Sequence, residues 1–178
     1  TNESPFPPSP RVIKAVSRAE LLKLNLYSDP TCSMLCEAVA RRYGLQRENV
    51  LAANGSAEVL GFAFRAFCGQ GRSVSYADIT YGFYAAQTAL FGLEATIIPL
   101  REDFTLNVED YLGLGATVVI ANPNAPTGLA LKPAQIERLL QADPDHVVIV
   151  DEAYVDFGAE SCVPLVEKYP NLLVVQTF

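Results

Sequence analysis

Val147-Val148-Ile149-Val150-Asp151-Glu152-Ala153-Tyr154 joins an unbroken apolar run to two carboxylates and a phenol. Four successive β-branched residues cannot alternate between core and water, so they predict a strand buried on both faces. Thr117 to Ala121 is a second such run, closed by the turn Asn122-Pro123-Asn124-Ala125-Pro126-Thr127-Gly128. Strands of this kind belong to open α/β sheets, which bind ligands outside the carboxyl ends of their strands. Asp151 sits at such an end, and the pattern predicts a small-molecule site beside it.

Half of the 178 residues are apolar, enough for a sizeable core. A net charge of −7 with thirteen basic residues offers no electrostatic footprint for nucleic acid or for an anionic membrane surface. No apolar run approaches the roughly 20 residues that span a bilayer. No signal peptide is visible, although the chain opens on Thr1 rather than Met. Cys32, Cys36, Cys68 and Cys162 lack CxxC spacing and fall mostly among apolar residues. That favours reduced, buried thiols in a cytoplasmic protein over a disulfide or metal site. The only histidine, His146, has no visible carboxylate or serine partner, and a metal cluster of the usual kinds is not expected.

Working outward, Thr1 to Pro10 is a proline-rich arm expected to be extended, because proline lacks the donor that helix and inner strand need. An irregular stretch from Leu24 to Thr31 precedes a helix reaching about Tyr43, with Leu35, Ala38, Val39 and Arg42 at helical spacing and Thr31 as its cap. From Val50 the pattern alternates. Strands are expected at Val50 to Ala53, Ser73 to Tyr76, Glu94 to Pro99, Ala116 to Ala121, His146 to Val150 and Leu172 to Gln176. Helices are expected at Ser56 to Cys68, Tyr81 to Phe91, Val108 to Leu112 and Pro133 to Gln141. The fold class is therefore α/β: three layers, a mainly parallel sheet flanked by helices.

Three loops carry residues with chemical use. Asn54-Gly55-Ser56-Ala57-Glu58 opens a helix with free backbone N–H groups and a hydroxyl, which suits either a phosphate site or a simple cap by Ser56. Ile79-Thr80-Tyr81-Gly82-Phe83-Tyr84 sets an aromatic cluster at a strand end; Tyr81 could stack on a flat ring, while Phe83 and Tyr84 read as core. Asp151 could pair with a protonated ring nitrogen and Tyr154 with an oxygen of the same ring. The alternative for a strand-end Asp is a turn former or helix cap.

These pieces, in this order, resemble the fold-type I pyridoxal-phosphate aminotransferases, and among them the histidinol-phosphate aminotransferase family. The similarity runs through Thr1-Asn2-Glu3-Ser4-Pro5, Leu26-Tyr27-Ser28-Asp29-Pro30, Asn54 to Glu58, Thr80 to Tyr84, Asn122 to Gly128, Asp151 to Phe157 and Val174-Val175-Gln176-Thr177-Phe178. By resemblance, the cofactor is pyridoxal 5'-phosphate. Its phosphate would lie on the backbone of Ser56, Ala57 and Glu58, and Tyr81 would stack on its ring. Asp151 would pair with the ring nitrogen and Tyr154 with the 3-oxygen. Tyr27 would reach the phosphate of a neighbouring subunit, implying a homodimer with shared sites. Residues 1–45 would form an N-terminal arm and helix contributing to a small domain and dimer contacts, and residues 46–178 the cofactor-binding large domain.

Two departures accompany the resemblance. Many relatives carry an asparagine directly before Pro-Thr-Gly, where this chain has Ala125, which leaves Asn124 as the nearest amide for the 3-oxygen. The family's Schiff-base lysine is expected just after Phe178, and none of Lys14, Lys23, Lys132 or Lys168 matches its position. The chain thus reads as the N-terminal part of the enzyme, incomplete at its C-terminus, without a catalytic residue of its own. The implied reaction is L-histidinol phosphate plus 2-oxoglutarate to imidazole-acetol phosphate plus L-glutamate. An aromatic aminotransferase or amino-acid-phosphate decarboxylase of the same fold is the alternative enzyme, and a non-catalytic cofactor-binding or regulatory protein the alternative of another class.

Overall fold

The computed structural model describes residues 6–19, 25–69 and 71–178. Its strands are β1 (Val74–Ala77), β2 (Ala95–Ile98), β3 (Thr117–Ala121), β4 (Val148–Asp151) and β5 (Leu172–Val175). They form one sheet in the order β2-β1-β3-β4-β5, with every neighbouring pair parallel. The helices are α1 (Pro10–Ala19), α2 (Ser33–Tyr43), α3 (Ser56–Phe67), α4 (Phe83–Phe91) and α5 (Pro133–Ala142). Because β2 and β3 flank β1 on opposite sides, the loops leaving β1 and β3 diverge and open a crevice at the carboxyl edge.

Strand alternation divides the core in two. Val118, Ile120, Val148 and Val150 meet Ile136, Leu139 and Leu140 of α5 on one face. Val74, Tyr76, Val119, Ala121 and Ile149 meet Leu60, Ala63 and Phe64 of α3 and Tyr84 of α4 on the other. Asp151, two positions after Ile149, shares that second face by the period of the strand. A buried strand thus aims its terminal carboxylate at α4.

The helices are anchored by local chemistry. Pro133 opens α5, and Gln135 Oε1 reaches back to accept from Lys132 N at 3.0 Å. Gly92, with φ of 60°, ends α4 in the left-handed region and lets Leu93 N reach Thr88 O at 3.0 Å. Thr117 Oγ1 donates to Phe67 O at 2.8 Å, placing the end of α3 beside the start of β3. The 12 residues of α3 make about 18 Å of helix and the 5 of β3 about 16 Å of strand. The first turn of α3 therefore stands at the carboxyl edge of the sheet.

Several sequence expectations are corrected. Val50 to Ala53 is no strand: Val50 is extended (φ −119°, ψ 125°), but among the described residues no strand pairs with the segment, and extended backbone needs a partner to form a ladder. Thr31 does not cap α2. Cys32 is the N-cap residue, with φ of 47°, and the Asp29 carboxylate accepts from Thr31 N at 2.9 Å and Ser33 N at 2.8 Å. The buried side chains of α2 are Cys36 and Ala40, whereas Leu35 is exposed. The helix expected from Tyr81 begins at Phe83. His146 does have a carboxylate partner, since Asp143 Oδ1 lies 2.9 Å from its Nδ1. The expected extended arm gives way to α1 at Pro10, where Ser9 Oγ accepts from Val12 N at 3.4 Å; Thr1 to Pro5 lie outside the described residues.

Candidate active site

The loop after β3 is tied to the loop after β1 by side chains and to the end of β4 by the backbone. Asn122 N donates to Asp151 O at 2.8 Å, continuing the ladder past the end of β3. The Asn122 side chain then clamps its own loop, accepting from Leu131 N at 2.7 Å and donating to Leu131 O at 3.1 Å. Asn124 bridges to the loop after β1: its Oδ1 accepts from Thr80 Oγ1 at 2.7 Å and its Nδ2 donates to Ile79 O at 2.9 Å and Thr127 Oγ1 at 3.2 Å. The amide is occupied in holding these two loops together. Tyr81, next in the chain after Thr80, is thereby held at the crevice.

Asp151 is 4% exposed. Its Oδ2 accepts from the hydroxyl of Tyr84 at 2.8 Å and its Oδ1 from Ala153 N at 3.2 Å. Burial raises its pKa, the Tyr84 and Ala153 hydrogen bonds pull it down, and the Glu152 charge adds a smaller upward push. Burial and the neighbouring Asp151 charge drive the Tyr84 hydroxyl far above its ordinary value, so it stays a proton donor. A carboxylate has about four acceptor positions, and the two contacts leave room for a further N–H donor.

Of the other expected residues, Tyr81 touches this pair directly. Tyr81 is exposed, stacked on Phe83 at 5.7 Å and edge-on to Tyr84 at 5.7 Å. Tyr154 follows β4 closely, half-buried, with its ring 6.1 Å from Phe157. At the start of α3, Gly55 adopts φ of 82° and supplies no side-chain cap. Ser56 is half-buried, Ala57 and Glu58 are exposed, and Glu58 Oε2 folds back to accept from Asn54 N at 2.7 Å. The first-turn N–H groups face the carboxyl edge, where a helix N-terminus attracts an anion. Tyr27 is fully exposed.

Two residues escaped sequence reading. Tyr84 reads as core, and it is core, but its hydroxyl also serves Asp151; the shared strand parity of Ile149 and Asp151 is the signal that could have paired them. Glu152 is 1% exposed and accepts from Ser161 Oγ at 2.6 Å, Cys162 N at 2.5 Å and Gln176 Nε2 at 2.8 Å. Its partners are distant in sequence, so nothing local announced them.

The arrangement offers a buried carboxylate at Asp151, an exposed aromatic ring at Tyr81 and a helix N-terminus at α3. The sequence model of the family described as aminotransferase class I and II matches residues 1–178, and the chain belongs to that family. Among its relatives it is 51% identical over 178 residues to a histidinol-phosphate aminotransferase of Acetobacter pasteurianus, matching 100% of this chain and 50% of that protein. It is also 51% identical to the enzyme of the same name from Marinomonas sp., matching 99% of this chain and 50% of the relative.

The chain spans about half the length of these curated relatives. The fold matches the crystal structure of a histidinol-phosphate aminotransferase from Sinorhizobium meliloti in complex with pyridoxal-5'-phosphate, with a TM-score of 0.88, 26% identity and coverage of 99% of this chain and 50% of that one. An L-threonine-O-3-phosphate decarboxylase from Porphyromonas gingivalis shares the fold at a TM-score of 0.78 and 24% identity, over 94% of this chain and 50% of that one.

Proposed function

We propose that this chain forms the cofactor-holding half of a pyridoxal 5'-phosphate-dependent aminotransferase acting on L-histidinol phosphate and 2-oxoglutarate in histidine biosynthesis. The observation that carries this reading is Asp151, a buried carboxylate at the carboxyl end of β4 with acceptor capacity to spare. The names of the relatives at 51% identity support the substrate.

The residues present fit the cofactor. Asp151 accepts the ring N–H and, remaining ionised, keeps that nitrogen protonated. When bound, the cofactor supplies an electron sink for the pair left by breaking the substrate Cα–H bond. Tyr81 covers one ring face and excludes water from it. Tyr154 donates to the 3-oxygen, and the backbone N–H groups of Ser56, Ala57 and Glu58 hold the phosphate. Asn124 acts through the loops it clamps. Tyr27 serves the phosphate of a partner subunit in a cytoplasmic homodimer, with residues 1–45 supplying arm and dimer contacts and residues 46–178 the cofactor domain.

The test uses the full-length protein. Loaded with pyridoxal 5'-phosphate, it should convert L-histidinol phosphate with 2-oxoglutarate at a kcat/KM well above that for aromatic amino acids. Equal or higher turnover of aromatic amino acids, or carbon dioxide release from an O-phosphoamino acid, would transfer the activity to another substrate class.

A further inference from the structure

Tyr84 stands where two parts of the proposed site meet. Its ring is fully buried, stacked on Phe64 at 6.1 Å and edge-on to Tyr76 at 5.9 Å and to Tyr81 at 5.7 Å. Its backbone is fixed as well, with Tyr84 N donating to Tyr81 O at 3.1 Å and Thr88 Oγ1 donating to Tyr84 O at 2.8 Å. A ring held on three sides leaves its hydroxyl one direction. That direction is Asp151 Oδ2, 2.8 Å away.

An aspartate side chain turns easily about its last bond, because that torsion has broad minima. Asp151 is prevented from turning by two donors, Tyr84 on one oxygen and Ala153 N on the other. The same phenol that orients the carboxylate also supports the edge of Tyr81, the ring that would cover the cofactor. We infer that Tyr84 is a positioning residue that fixes the plane of the Asp151 carboxylate relative to Tyr81 and holds Asp151 in its ionised form. The inference rests on the proposed cofactor site, and extends it to a residue that touches neither substrate nor cofactor.

The charge logic is simple. Asp151 has Tyr84 from α4 and Glu152 from its own strand end as titratable neighbours, and Tyr84 in turn meets Tyr81 from the loop before α4 and Tyr76 from β1; β3 and β5 carry no ionisable side chain. Burial and Glu152 both favour the protonated acid. A neutral O–H donor stabilises the carboxylate against them without adding a charge that would compete for the ring nitrogen.

The test is carried out on the full-length protein without cofactor. Carboxyl carbon NMR, with Asp151→Asn assigning the resonance, should show the Asp151 midpoint moving up by about one pH unit in Tyr84→Phe. With cofactor added, Tyr84→Phe should weaken pyridoxal 5'-phosphate binding by about tenfold and change the pH dependence of its absorbance. An Asp151 midpoint unmoved in a folded Tyr84→Phe variant would overturn the inference. Should Tyr84→Phe fail to fold, fluorotyrosine labelling of the otherwise unaltered protein replaces it. The Tyr84 fluorine signal should then follow the Asp151 titration and lose that response in Asp151→Asn, and a signal that ignores it would equally overturn the inference. Failure of the cofactor reading looks different: the unsubstituted protein would not bind pyridoxal 5'-phosphate, while the coupling of Tyr84 to Asp151 persisted.

Discussion

Glu152 accepts a hydrogen bond from Gln176 Nε2 at 2.8 Å, closing the ends of β4 and β5 over a carboxylate that is 1% exposed. Gln176 in turn accepts from the hydroxyl of Tyr43 at 2.8 Å, so the link extends to the last residue of α2. Glu152→Ala removes the acceptor of Cys162 N and Ser161 Oγ and leaves Gln176 Nε2 only Ser161 Oγ at 3.4 Å. The expected loss is about 3 kcal/mol of stability, read as a lower midpoint in urea. A loss below about 0.5 kcal/mol would mean that water or a rearranged Gln176 replaces the carboxylate.

Asp151 should cost stability in the cofactor-free protein. Its pKa is raised on folding, mainly by burial. The folded state therefore holds its proton more tightly than the unfolded state, and the group's stabilising contribution is complete below the unfolded value of about 4. That contribution is lost as pH rises through the raised folded value. Asp151→Asn removes the effect, so the variant should melt higher than the parent at pH 7 and converge with it toward pH 4. At the same time it should bind pyridoxal 5'-phosphate more weakly. Melting curves between pH 4 and 8 test the sign, and a gap that widens toward acid would contradict it.

Asn124 is expected to act as a clamp. Thr80→Val removes one hydroxyl partner and leaves Asn124 in place; Asn124→Ala removes all three side-chain bonds. Both should destabilise, by about 1 and about 2 kcal/mol respectively, and both should lower cofactor affinity by loosening Tyr81. A direct bond from Asn124 to the ring oxygen would instead make Thr80→Val silent in a binding titration while Asn124→Ala weakened it.

Asp29 should make the start of α2 acid-sensitive. Hydrogen bonds from the Ser33 and Thr31 side chains and backbones hold its carboxyl well below the usual range. A depressed folded pKa contributes stability that is present above the unfolded value of about 4 and fades as pH falls. Amide protection factors in the first turn of α2, which already allow for the intrinsic pH dependence of exchange, should therefore fall in acid in the parent. In Asp29→Ala they should be low at every pH, and protection equal to the parent at pH 7 would show that another group caps the helix.

Much of the fold is legible because its signals are local. The unbroken apolar runs of β3 and β4 announce burial on both faces, and the proline at the start of α5 and the glycine after α4 mark helix ends. The segment Val50 to Ala53 shows the limit: its composition is that of a strand, but a strand needs a neighbour, and none pairs with it among the described residues. Asp29 shows another, since the capping carboxylate stands before a cysteine in a left-handed turn that composition does not reveal.

The candidate site divides in the same way. Sequence by itself determined which residues arrive at the carboxyl edge: Asp151 and Tyr154 after β4, Tyr81 after β1, the Asn122 to Gly128 turn after β3 and Ser56 at the head of α3. Each follows from its distance along the chain from a recognisable strand or helix. Only the tertiary structure decided what those residues touch. It turned Asn124 onto Thr80 and Ile79, aimed Tyr84 at Asp151, and buried Glu152 against Ser161, Cys162 and Gln176. The physical reason is that backbone periodicity sets the face on which a side chain emerges, whereas a hydrogen-bond partner is set by where other segments come to rest.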